Sequence, residues 1–130
     1  MSLDKTISGE NKSMATISFP FQGHSEKYAL VKGAILNKKS VSATYQGRPR
    51  LLCPHVLGAD KDGNDQALFY QFGGESSSRP IQPDGSPNNW RCLTLDRLSD
   101  LKLVDGPWHT APNHSRPQTC VKTIHVKVIS

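Results

Sequence analysis

Little in this 130-residue chain is supplied for bulk burial: apolar residues make up 35% and aromatics 7%, with two tryptophans and two methionines. That supply suffices for one modest core, so a single domain is expected, with part of the chain left unpacked. No run approaches the roughly 18 apolar residues that a membrane-spanning helix needs. The N-terminal stretch also lacks the apolar centre of a signal peptide. Cysteine is scarce. Cys53, Cys92 and Cys120 stand far apart, in neither a disulfide framework nor zinc-ligand spacing. An odd count without an export signal fits a reducing interior, so the expected compartment is cytoplasmic. Cys53-Pro54-His55, His109, His114 and His125 give no histidine pair at i, i+4 and no Cys-x-x-Cys. No base and orienting acid stand in a recognisable catalytic spacing, so the chain is expected not to be an enzyme and to use no metal or cofactor.

What is present is positive charge, unevenly placed. The formal net charge is +5. Between Glu26 and Arg50 the chain carries Lys27, Lys32, Lys38, Lys39, Arg48 and Arg50 against Glu26 alone, whereas Asp60, Asp62 and Asp65 cluster in one turn. A basic face raises the local concentration of anionic partners, nucleic acid included; a solvated, solubilising face has the same composition.

Residues 1–24 show no periodicity and read as a flexible arm, with Ile17, Phe19 and Phe21 as a candidate edge strand. Ser25 offers a helix N-cap, and Tyr28, Val31 and Ile35 form an apolar stripe to about Asn37. Gly33 weakens that helix. The period then switches to two. Val41, Ala43 and Tyr45 alternate with polar residues, and Gln46-Gly47 makes a turn. Leu51 to Leu57 is a second strand, which Pro54 bulges or confines to an edge. Asp60-Lys61-Asp62-Gly63-Asn64 is hairpin chemistry, and Ala67 to Phe72 a buried third strand. Gly73 to Asn89 is a long polar loop, too polar for the core and expected to be mobile.

The most informative stretch follows it: Trp90-Arg91-Cys92-Leu93-Thr94-Leu95-Asp96-Arg97-Leu98. Alternation places Arg91, Leu93 and Leu95 on one strand face, opposite Trp90, Cys92 and Thr94. A tight turn at Asp96-Arg97 leads into a last strand, Leu98 to Val104. If the turn keeps Arg91 and Arg97 close, their planar forks suit phosphate or carboxylate. A solvated edge strand with solubilising charge is the plainer reading. The order is one helix and then about five short antiparallel strands, which close into a small mainly β barrel with the helix flanking one end.

The helix ending in Ala34-Ile35, then Val41-x-x-x-Tyr45-x-Gly47, Arg48/Arg50, Pro54-His55-x-Leu57 and Trp90-Arg91-x-x-x-Leu95-Asp96-Arg97-Leu98 resemble a WYL domain over roughly residues 26–108. That family is an SH3-like or Sm-like small barrel, usually behind a helix-turn-helix in bacterial and phage transcriptional regulators. The third strand departs from the pattern, since Ala67-Leu68-Phe69-Tyr70 stands where the Trp-Tyr-Leu signature belongs. Residues 1–24 are too few and too polar to be expected to form the helix-turn-helix that usually precedes the barrel. The expected organisation is a flexible arm (1–24), a WYL-like barrel (25–108) and a C-terminal extension (109–130) in which Cys120 to Ile129 offers one candidate strand, for such an extension or for a sheet edge. The resemblance implies a regulatory sensor module whose basic groove binds a nucleotide-like anion or single-stranded nucleic acid. The matching positions are Tyr45, Arg48, Arg50, His55, Arg91 and Arg97. Arg91 and Arg97 would clamp phosphate and Tyr45 would stack on a base. His55 would hydrogen-bond the ligand, becoming cationic below about pH 6.5. Plainer roles stand beside these: Tyr45 in the core, Arg97 paired with Asp96 or Asp100, His55 satisfying a bulge carbonyl. A separate DNA-binding or effector chain is an implied partner, and self-association through a barrel edge is the alternative function.

Overall fold

The structure, a computed structural model, describes residues 22–76, 79–112 and 120–128. One helix, α1 (His24–Asn37), precedes β1 (Ser40–Tyr45), β2 (Arg48–Ala59), β3 (Asp65–Gly74), β4 (Trp90–Thr94), β5 (Leu98–Val104) and β6 (Thr123–Lys127). Short 3-10 turns at Pro87–Asn89 and Leu95–Arg97 precede and follow β4. The strands form one antiparallel sheet in the order β4-β3-β2-β1-β5, and β6 pairs with β2. The fold is mainly β and barrel-like, as expected, with six strands where about five were expected. The sixth comes from the C-terminal extension.

Local chemistry sets these elements. The α1 N-cap is Gly23, two residues before the expected Ser25, and the Glu26 carboxylate accepts from the Gly23 N–H at 2.8 Å. Lys38 closes the helix in the left-handed conformation, its N–H donating to Ile35 at 3.3 Å. Gln46 and Gly47 both take positive φ (54° and 72°), the backbone that a tight two-residue hairpin requires. β2 slips register between Pro54 and Val56, at the proline that cannot donate to the ladder. The bend divides β2: its first half pairs with β1 and its second half with β6.

The sheet is covered on both faces. On one, Val31, Ala34 and Ile35 of α1 pack on Val41, Ala43, Leu52, Leu57, Ala67, Phe69, Leu93, Leu95, Leu98 and Leu101. On the other, Cys53 and Tyr70 pack with Ala111, Phe72, Trp90 and Trp108, while Val56 and Leu68 meet Val121. Hence Ala67 to Gln71 is an unbroken buried run, since both sides of β3 face protein.

Two expectations are corrected. The polar segment before β4 reaches the interior: Asn89 is fully buried, donating from Nδ2 to Gln82 O (2.9 Å) and the Tyr70 hydroxyl (3.4 Å). The Gly85 N–H donates to the same hydroxyl at 2.7 Å, so Tyr70 pins the segment from beneath. The cysteines are not all free either. Cys92 and Cys120 form a disulfide across 28 residues, tying β4 to the chain just before β6, and Cys53 alone is a free thiol. The expected edge strand at Ile17, Phe19 and Phe21 lies outside the described residues. Gln22 does sit on β5, its side-chain amide exchanging two hydrogen bonds with the Leu101 backbone (2.8 and 2.9 Å). Among the described residues no helix is long and apolar enough to cross a membrane.

Candidate functional site

Arg50 of β2 and Arg91 of β4 flank β3 on either side, in register with Gly74 and Phe69. Alternation turns Arg91 to the face of Leu93, the helix-covered face. Arg91 is 5% exposed and Arg50 3%. Between them lies Gln71, fully buried, whose Oε1 accepts from Arg50 Nη1 at 3.4 Å. Gln71 Nε2 donates to Gly73 O (2.9 Å) and Glu75 O (2.7 Å), so its orientation is fixed by the end of β3. The Arg50 guanidinium lies over the Tyr45 ring, 5.1 Å from its centroid, and donates to the Tyr45 carbonyl at 3.4 Å.

Arg91 is held by neutral groups. Its Nη1 donates to the carbonyls of Asn88 (2.7 Å) and Trp90 (3.1 Å), and its Nη2 to that of Arg79 (3.5 Å). Its buried Nε finds no hydrogen-bond partner, and no carboxylate among the described residues pairs with the guanidinium. Burial pulls its pKa from the ordinary arginine value down to about 10, with Arg79 and Arg50 pushing the same way. Burial also lowers that of Arg50, assisted by Arg48 and opposed by Tyr45. Four guanidiniums therefore act on one another at this end of the barrel. Glu75 answers part of the charge, 3.5 Å from Arg48. A groove of about 380 Å³ borders the cluster, lined by Thr44, Pro49, Arg50, Leu51 and Gly74 together with Asp100 and Lys102.

Of the residues expected to form a site, Tyr45, Arg48, Arg50 and Arg91 meet at this end, and two do not. Arg97 is exposed in the 3-10 turn beyond the other end of β4, so it shares no clamp with Arg91. Its neighbour Asp96 contacts His24 Nδ1 at 2.6 Å, while His24 Nε2 meets Asp65 at 2.5 Å. His55 lies on the opposite sheet face between Trp90 and Trp108, at centroid distances of 4.8 and 4.6 Å. Its Nδ1 donates to the Cys53 carbonyl beside the β2 bulge (2.9 Å), which leaves Nε2 to accept from the Thr110 hydroxyl at 3.0 Å. Gln71 and Arg79 belong to the cluster and were not anticipated. A glutamine at the inward parity of Ala67 and Phe69 was the available signal for Gln71; no pattern marks Arg79.

Elsewhere the reactive side chains are muted. The Cys53 thiol is fully buried between Ser40 Oγ (3.5 Å) and the His109 N–H (3.3 Å), and burial pushes its pKa up, the opposite of an activated nucleophile. Comparison with protein-family models, curated proteins and solved structures found no match to this chain.

Proposed function

We propose that this domain is a non-catalytic, anion-binding sensor module that takes a nucleotide-like ligand or single-stranded nucleic acid at the end of the barrel formed by Tyr45, Arg48, Arg50 and Arg91. The observation that carries this reading is Arg91: a buried cation, held among the described residues by carbonyls and crowded by two further arginines, with an unpartnered Nε. An anion at this end offsets the burial that chiefly lowers the pKa values of Arg91 and Arg50 and the mutual repulsion that adds to it. The adjoining groove is at the small end of ligand-pocket size, with Leu51 and Pro49 available to an apolar or planar part and Lys102 to a second negative group. Likeness to WYL domains, and with it a regulatory role beside a separate DNA-binding chain in a bacterial or phage cytoplasm, belongs to the same proposal. The disulfide removes one premise for a reducing compartment, because such pairs persist in oxidising surroundings.

Titration calorimetry with inorganic phosphate, a nucleoside monophosphate and a short oligonucleotide over a salt series tests the site. Affinity for the oligonucleotide falls steeply with salt as phosphates displace counterions. Arg48→Glu or Arg79→Glu weakens binding about tenfold or more, the worth of a charge-assisted contact, while Lys122→Glu, near the β2–β3 turn, has little effect. Equal small losses from all three reduce the site to diffuse attraction. Self-association is the second reading. It is favoured by β4 and β5, which end the sheet path with one strand neighbour each among the described residues, and by Leu103, 57% exposed on β5. Light scattering without ligand detects it.

A further inference from the structure

β6 is a strand with little burial of its own. Thr123, Ile124, His125 and Lys127 are exposed and Val126 is half-buried. Its backbone pairs with Val56 to Ala59 of β2, extended by Lys122 N–H to Ala59 O and Val128 N–H to His55 O, both 2.8 Å. It crosses β2 at Gly58, where a Cβ would fall 1.9 Å from the Thr123 carbonyl oxygen, so only glycine admits this approach. Side chains add anchors: Val126 and Val128 pack against the helix-covered core, Val121, 4% exposed, seats against Val56 and Leu68, and Tyr28 Oη lies 2.8 Å from His125 Nδ1. The covalent anchor is the Cys92–Cys120 disulfide, which joins the start of this segment to β4 on the far side of β3.

We propose that this disulfide is a thiol-operated latch: closed, it keeps β6 on the second half of β2, and its reduction by a dithiol frees Cys120 to Val128 while the other five strands stay folded. The bond tethers residues 28 apart in sequence, so it raises the effective concentration of β6 at its pairing site above that of an untethered segment. Cys92 and Cys120 are both half-buried rather than sealed in the core. A thiolate of the dithiol attacks one sulfur, the S–S bond breaks, and the other cysteine leaves as a thiolate that takes up a proton. The second thiol of the reagent, as its thiolate, attacks the reagent sulfur of the mixed disulfide and displaces the remaining protein cysteine, which leaves as a thiolate and takes up a proton. The reagent departs as its own disulfide, and the protein gains two electrons and two protons as two thiols. Cys53 takes no part, being fully buried among Ser40, Tyr70 and Ala111.

Dithiothreitol on the intact protein tests the latch, followed by alkylation, intact mass and amide hydrogen exchange. The expected result is two alkyl groups per chain after reduction and none before. Exchange should then be at least tenfold faster at those amides of Val56 to Ala59 that face β6 and at Thr123 to Lys127, with β1, β3 and β4 unchanged. Cys92→Ser combined with Cys120→Ser should reproduce the reduced pattern without reagent. Unchanged exchange after reduction overturns the proposal. So does a third alkyl group with exchange rising throughout β1–β3, because the disulfide would then support the whole domain. Two reactive thiols in the unreduced protein overturn it as well.

Discussion

Gly33 faces open space on α1, and a methyl group added there meets no heavy atom within 4 Å. Gly33→Ala therefore gains helix propensity and loses unfolded-state freedom at no steric cost, a stabilisation of about 1 kcal/mol in denaturant unfolding. His24 presents both ring nitrogens to carboxylates, which only the doubly protonated imidazolium satisfies as donor to each. Hydrogen bonds to Asp96 and then Asp65 raise its pKa, and the bond to His24 lowers that of Asp96. A raised histidine contributes fully below its unfolded value, about 6.5, and loses that contribution as pH rises through the folded value. The lowered Asp96 contributes above about pH 3.8 and loses that as pH falls. Melting curves of wild type and His24→Gln should thus differ most in mildly acid solution and converge in alkali; a constant difference across pH refutes the assignment. At this scale strand alternation placed Arg91 correctly with Leu93. The 3-10 turn at Leu95–Arg97 then breaks the parity that would have returned Arg97 to the same side.

The elements defined by local chemistry were legible: the helix stripe at Val31 and Ile35, the Gln46-Gly47 turn, the proline bulge in β2 and the hairpin around Gly63 all follow from neighbours in the chain. What escaped depends on residues far apart. Asn89 is polar and locally unremarkable, and only the Tyr70 hydroxyl and Gln82 carbonyl make its burial affordable. The disulfide obeys no spacing rule, because strand geometry rather than sequence brings Cys120 to β4. Tyr70→Phe deprives the Gly85 N–H and Asn89 Nδ2 of one acceptor, so it should cost about 1–3 kcal/mol. It should also accelerate proteolytic cleavage after Arg79, while cleavage after Lys102 in β5 stays slow. Equal acceleration at both positions would mean the whole barrel had loosened.

At the scale of the molecule, β2 pairs with β3 along one edge and is shared on the other, by β1 along its first half and by β6 along its second. These pairings belong to different moments in folding. The β1–β2 and β2–β3 hairpins are local, and such hairpins close in about 1–10 μs. β6 is separated from β2 by nearly the whole domain and is synthesised after every other strand, so its pairing carries the larger loop-closure cost. A nascent chain thus passes through a stage in which the helix-covered core is assembled but Val56 to Ala59, paired with β3 on one side, still present one bare edge. During that interval the domain is competent to bind the wrong strand as readily as its own, and the time taken to synthesise and seat β6 sets how long the hazard lasts.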